Sequence, residues 1–107
     1  MKIDLAQLEF IEPKLRGMAL DVEAHFDVEF TITSLYRIND NGVHGTLPLR
    51  GIDLRCRESD LGAFIEAYVN NKWIYDPDRP DMKSCMFHDI GQGAHIHLQV
   101  HPKSRKR

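Results

Sequence analysis

The segment 94–101, Ala-His-Ile-His-Leu-Gln-Val-His, alternates apolar and polar residues without a break. A period of two places successive side chains on opposite faces of a β-strand. The apolar set predicts a buried face, so this strand must pair with others and be covered by a further layer. The polar set consists of three histidines and Gln99, an unusual composition for a face that serves only solubility. The segment therefore indicates a strand with a chemical role.

The rest of the chain supplies the other elements of an α+β fold. Pro13 suits the first turn of a helix, and Ser59 is a residue type that caps a helix. The predicted elements are helices over 12–26 and from Ser59 to 70–71, and strands over 28–34, 51–56, 72–75, 83–88 and 94–100. We expect two helices on one face of a small, mostly antiparallel sheet, with the other face free for polar chemistry.

The length of 107 residues allows one compact domain, predicted over 1–102 and followed by a basic tail over 103–107. Four of the tail's five residues are basic, and without them the formal charge of −2 becomes −6. We expect a frayed, solvated end. The alternative is a tether to an anionic polymer, such as cell-wall material or nucleic acid.

Targeting signals are not expected from this sequence. No apolar run approaches the roughly 18 residues that span a membrane, and Asp4, Glu9 and Glu12 interrupt the stretch where a signal peptide would be apolar. We expect a protein that is cytoplasmic as synthesised, without membrane or nucleic-acid partners. Cys56 and Cys85 make no disulfide framework and are interpreted as reduced core residues.

One histidine of the 94–101 strand could hold a metal ion together with two other side chains. His44 lies beside Gly45 in a loop, and Asp53 stands on the polar side of an otherwise apolar strand. Two histidines and one carboxylate leave one position of a tetrahedral zinc ion open, as in catalytic sites. The alternatives are a hydrogen-bonded histidine pair and a lone Asp53 near Arg55.

These residues occur in an order that resembles a known family. Phe-Thr-Ile-Thr-Ser-Leu-Tyr-Arg at 30–37, His44, Arg-Gly-Ile-Asp-Leu at 50–54 and His-Ile-His at 95–97 resemble the zinc D-Ala-D-Ala carboxypeptidases and endolysin-type peptidases. The related hedgehog signalling domain and the lysostaphin-type metallopeptidases share the pattern. The resemblance covers about residues 28–101.

The resemblance implies a role for each matching residue. It makes His44, Asp53 and His97 the zinc ligands. It assigns Arg37 to the developing oxyanion or to a substrate carboxylate, and His95 to the reacting water or oxyanion. Arg37 could instead pair with a surface carboxylate such as Asp40.

Three departures from the family pattern concern the site. His44 and Asp53 are nine positions apart, where the family has seven, and Ala94 stands where many members carry a general-base Glu. Gly91 occupies the hedgehog-like position. The base must then come from elsewhere, with His95 or Asp89 expected and His88 or Gln92 as weaker candidates.

The function expected from the resemblance is that of a zinc metallopeptidase acting on peptidoglycan stem peptides or cross-links. A phage or prophage origin, with action at the cell wall, follows from the same resemblance. The missing Glu favours an alternative, a zinc-binding module without turnover, such as a phage structural component. A third interpretation is a metal-free domain whose basic tail binds nucleic acid.

Overall fold

The computed structural model describes residues 11–29, 32–34, 50–89 and 94–107. Its helices are α1 (Pro13–Phe26) and α2 (Ser59–Lys72). Its strands are β1 (Ile32–Ser34), β2 (Gly51–Arg55), β3 (Trp73–Ile74), β4 (Cys85–Asp89), β5 (Ala94–Gln99) and β6 (Arg105–Lys106). The chain is a small α+β fold, as the sequence predicts. Neither of these two helices has the length and hydropathy that a membrane span requires.

The main sheet has four antiparallel strands in the order β1-β2-β5-β4. β2 and β5 are therefore the central strands. β4 and β5 form the hairpin that the sequence predicts at 83–100. A second, two-stranded sheet pairs β3 with β6. The order places β1, β2 and β5, which carry three of the matching segments, next to one another.

The register separates an apolar face from a polar face. The apolar face has two rows of cross-strand neighbours, Ile52–Leu98–Cys85 and Leu54–Ile96–Phe87. Both helices pack against this face, because Leu15, Met18 and Val22 of α1 and Ile65 and Val69 of α2 belong to one core with the strand residues. The opposite face is left to the residues of odd number in β2 and β5.

Helix α1 begins and ends through local hydrogen bonds. The Glu12 carboxylate accepts from the backbone N–H groups of Lys14 and Leu15, while Pro13 occupies the first turn, where its missing N–H is not needed. At the other end Asp27 adopts a left-handed conformation (φ 54°), and the Val28 N–H donates to the Glu23 carbonyl. This C-terminal cap uses Val28, which the sequence predicts as the first residue of a strand over 28–34.

Helix α2 differs from the prediction at its first turn. Ser59 is the first helical residue rather than the cap. The preceding Glu58 takes the cap position and makes no side-chain hydrogen bond there. The capping interaction predicted for Ser59 is therefore wrong, although the helix itself is confirmed.

Two helical glycines predict opposite effects of the same substitution. A Cβ at Gly62 in α2 would lie 2.5 Å from ring atoms of Phe87, whereas a Cβ at Gly17 in α1 would meet nothing within 4 Å. Gly17→Ala should stabilise the fold by about 0.5–1 kcal/mol through helix propensity. Gly62→Ala should cost about 2 kcal/mol, because the overpacking outweighs that gain. Thermal melts should show Tm raised by several degrees for Gly17→Ala and lowered by about 5–10 °C for Gly62→Ala. A higher Tm for Gly62→Ala would contradict the close packing of α2 on β4.

The C-terminal basic residues are folded rather than frayed. Arg105 and Lys106 pair with Ile74 and Trp73 as β6. The buried Ser104 hydroxyl donates to the Tyr75 carbonyl at 2.6 Å. The Lys14 ammonium donates to three backbone carbonyls near this end of the chain, those of His101, Pro102 and Ser104. A frayed end is thus not observed, because main-chain pairing and a buried serine fasten the segment.

Candidate functional site

Asp53 and His97 form the centre of the polar face. They are direct cross-strand neighbours on the two central strands, and Asp53 Oδ1 lies 2.8 Å from His97 Nδ1. Both side chains are largely shielded, with 10% and 15% of their surface exposed. The alternation in both segments predicts that the two residues face the same way, and the antiparallel register brings them together.

The other nitrogen of the His97 ring is held by Gln99. The Gln99 amide nitrogen donates to the Lys83 carbonyl at 2.8 Å, which leaves its oxygen, Oε1, 3.1 Å from His97 Nε2. Because Oε1 can only accept, Nε2 must carry a hydrogen. A neutral His97 then presents the lone pair of Nδ1 to the Asp53 carboxylate. Two acceptors at this distance repel each other unless a proton on Nδ1 or a metal ion compensates them.

The chemistry of this pair fits a zinc ion. Imidazole nitrogen at about 2.0–2.1 Å and carboxylate oxygen at about 2.0–2.2 Å are common zinc ligands, and in a tetrahedral site they lie about 3.3 Å apart. The observed 2.8 Å would have to open by only about 0.5 Å, a small side-chain adjustment. Gln99 also supplies the outer hydrogen bond that metal-bound histidines usually make. Asp53 and His97 could therefore hold a metal together.

A complete ligand set is not assembled by the described residues. No group of three His, Cys, Asp or Glu side chains suited to a metal occurs within 11–29, 32–34, 50–89 and 94–107. His44, the third predicted ligand, and Arg37, the predicted oxyanion group, lie outside these ranges. Their assignments remain predictions, as does the zinc ion itself.

The strand that carries the first motif reaches the site through its backbone. Ser34 pairs with Asp53 across the β1–β2 ladder, after an irregularity that follows the Ile32–Leu54 pair. Arg37 lies three residues beyond Ser34 in the sequence. Within the described residues, β1 therefore brings Ser34 of the first motif beside Asp53.

His95 occupies the next row of the polar face. It lies opposite Arg55 of β2 and opposite His88 of β4, and the two imidazole rings are 5.5 Å apart between centroids. Same-face residues on one strand lie about 6.5–7 Å apart, so His95 is a neighbour of His97. His95 therefore lies one row from Asp53–His97 on the polar face.

Asp89 has a different register position. It is the last residue of β4 and pairs with Ala94, in the set that includes the Phe87–Ile96 and Cys85–Leu98 pairs of the apolar face. His88, one residue earlier, is the β4 residue that pairs with His95. The register therefore pairs His88, and not Asp89, with His95.

The cysteines take no part in the site. Both are buried and free, as the sequence predicts. Burial raises the pKa of the Cys85 thiol far above its ordinary value, and burial also raises that of Cys56. The thiolate, the form that binds metal or attacks a substrate, is thereby disfavoured.

The sequence did not identify the role of Gln99 or place His101. Gln99 is buried, holds His97 and is itself held by a backbone carbonyl of another segment, a contact that no sequence pattern marks. His101 lies beyond the end of β5, where its Nδ1 accepts from the Lys103 N–H at 3.1 Å. Only the part of the alternation within 94–99 therefore forms the polar face.

Comparison of this chain with protein-family models, with curated proteins and with solved structures finds no match.

Proposed function

We propose that this chain is a zinc-dependent metallopeptidase that hydrolyses peptide bonds of bacterial peptidoglycan, with His44, Asp53 and His97 as the metal ligands. Peptidoglycan stem peptides would be its substrates. The class of reaction comes from the sequence resemblance, and the described site is the local support for it. The hedgehog-like arrangement, with helices on one sheet face and zinc on the other, belongs to the same proposal.

The observation that carries the proposal is the Asp53–His97 pair. Asp53 Oδ1 and His97 Nδ1 lie 2.8 Å apart, and the contact between His97 Nε2 and Gln99 Oε1 leaves Nδ1 as the ring nitrogen that faces the carboxylate. An ordinary hydrogen-bonded histidine would need a proton on both nitrogens here. A divalent cation compensates the two acceptors without that requirement and uses the geometry that Gln99 imposes.

Each of the proposed site residues would have a separate role in the reaction. When bound, zinc lowers the pKa of its water to about 7 and polarises the substrate carbonyl. Asp53 and His97 would hold the ion from the two central strands, and Gln99 would fix the His97 ring. Arg37 would donate to the oxyanion or to a substrate carboxylate.

His95 is the proposed general base. It lies on the polar face one row from His97, and an imidazole exchanges protons near neutral pH. It would take the proton of the attacking water and return it to the leaving amine. Asp89 is the second choice, because its register position belongs to the other set of β4 residues.

The proposal predicts metal-dependent cell-wall hydrolysis. Purified peptidoglycan should release soluble peptides when the protein is added, a chelator should abolish the release, and zinc should restore it. Zinc content per chain, measured by elemental analysis, should approach one. The Arg105→Gln variant, altered in the second sheet away from the site, serves as the control and should keep full activity. Absence of zinc from the chain after addition of the metal would contradict the proposal.

A second candidate, zinc binding without turnover, is favoured by one residue. Ala94, which has no ionisable group, occupies the position of the family's general-base Glu. The same measurements separate the two candidates. Stoichiometric zinc without release of any peptide would support the module, whereas release that requires zinc supports the peptidase.

A further inference from the structure

A second row of side chains lies beside the Asp53–His97 pair on the polar face. Arg55, His95 and His88 are cross-strand neighbours on β2, β5 and β4. The His88 and His95 rings lie 5.5 Å apart. Strand geometry places this row about 6.5–7 Å from the row that contains Asp53 and His97.

The charge of this row is not compensated by the protein within the described ranges. Lys72, Arg79 and Lys103 each form an ion pair with an aspartate. Arg55 is exposed and forms no ion pair with any carboxylate of the described residues. The nearest carboxylate on its own strand, that of Asp53, is bound by His97. A permanent positive charge and two imidazoles thus face one surface.

We propose that Arg55 and His88 form a carboxylate-binding subsite that orients the substrate beside the Asp53–His97 pair. A guanidinium presents parallel N–H groups that match the two oxygens of a carboxylate, and an imidazole N–H adds a third donor. That the bound carboxylate belongs to a substrate rests on the function proposed above, whereas binding of a carboxylate requires only the side chains of this row.

The distance between the two rows of side chains determines which carboxylate of a bound peptide can reach Arg55 and His88. An extended peptide advances about 3.3–3.6 Å per residue, so two residues cover about one row spacing. With the scissile carbonyl at Asp53–His97, a carboxylate one or two residues away reaches Arg55 and His88. The source is either the carboxyl terminus of the peptide or an acidic side chain at that distance.

Binding to the zinc-free protein tests the subsite without hydrolysis. The probes are N-acetyl-D-Ala-D-Ala as the free acid, the same peptide as its carboxyl-terminal amide, and N-acetyl-D-Ala-D-Glu with the terminus amidated. Dissociation constants come from NMR titration, with the ring resonances of His88 and His95 as local reporters. We expect at least one acid to bind about 10-fold more tightly than the neutral amide, as for one charge-assisted interaction.

Three variants assign the preference to its residues. Arg55→Gln should remove most of the preference for acid over amide, Arg55→Lys should keep part of it, and His88→Gln should reduce it. Arg105→Gln, the same change on an exposed strand residue of the second sheet, should leave it unchanged. The variants are compared by the ratio of the dissociation constants for acid and amide, because a general loss of stability would not alter that ratio.

The outcomes distinguish this inference from the proposed function. Equal binding of acid and amide, absence of measurable binding, or an unchanged ratio in Arg55→Gln overturns the subsite. A preference for the free acid identifies the terminal carboxylate as the group that is recognised, and a preference for the D-Glu peptide identifies the side chain. If the protein shows the Arg55-dependent preference but hydrolyses nothing, the carboxylate subsite is supported and the proposed peptidase activity is contradicted.

Discussion

Replacing His97 by alanine is expected to abolish zinc binding and to destabilise the protein. The substitution removes a predicted ligand on β5. A zinc site with three protein ligands loses most of its affinity when any one of them is removed. Zinc content should fall from about one ion per chain to about a tenth or less under the same loading conditions. Hydrolysis of peptidoglycan should disappear with it.

The loss of stability has a separate cause in the metal-free protein. His97 bonds to Asp53 and to Gln99 in a shielded position, and its removal leaves the Gln99 Oε1 atom without its donor. Breaking such a pair costs on the order of 3 kcal/mol. Thermal melts in the presence of chelator should therefore show a lower Tm than for the wild-type protein.

The control for His97→Ala is His101→Ala. His101 is the same residue type, four positions further along the chain and outside β5. This variant should keep its zinc and its activity. Unchanged zinc content in His97→Ala would remove His97 from the metal site and with it the central support for the proposed function.

Replacing His95 by alanine is expected to keep the metal and to lower kcat by about 100-fold or more, the scale of a lost acid–base group. His95 lies one row from His97 and is not among the proposed ligands, so zinc content should remain that of the wild-type protein. The measurement is a kcat and KM determination beside elemental analysis. A fall in kcat at unchanged zinc content would distinguish a proton-transfer role from a structural one.

A second variant and a matched control sharpen this test. Retention of full activity in His95→Ala would pass the role to Asp89, which Asp89→Asn would then test. His101→Ala again serves as the matched control and should leave kcat unchanged.

Local periodicity accounts for most of the agreement between sequence and structure. The apolar spacing after Pro13 predicts α1, and the alternation at 51–56 and 94–100 predicts the two central strands. Burial of Ile52, Leu54, Ile96 and Leu98 follows from the same alternation. These predictions succeed because helix and strand periods are properties of neighbouring residues.

The errors occur where particular hydrogen bonds decide the structure. The sequence predicts a solvated basic end at 103–107, yet this end is held in place by strand pairing with β3, by the bond from Lys14 to the Ser104 carbonyl and by the bond from the Ser104 hydroxyl to the Tyr75 carbonyl. Val28 reads as a strand residue, yet its N–H completes the C-terminal cap of α1. In each case a backbone hydrogen bond outweighs the preference of the local residues.

By itself, the sequence determined the α+β class, the existence of the strands at 51–55 and 94–99 and the alternation of their polar residues, because side-chain alternation requires only the chain's own period. The tertiary structure alone decided that Asp53 stands opposite His97, that Gln99 directs the imidazole ring, and that Asp89 belongs to a different set from His88. Those relations depend on the register between strands. Register is set by the hydrogen bonds of the ladder and by the packing of one face against the helices. Neither can be predicted from any single segment of the sequence.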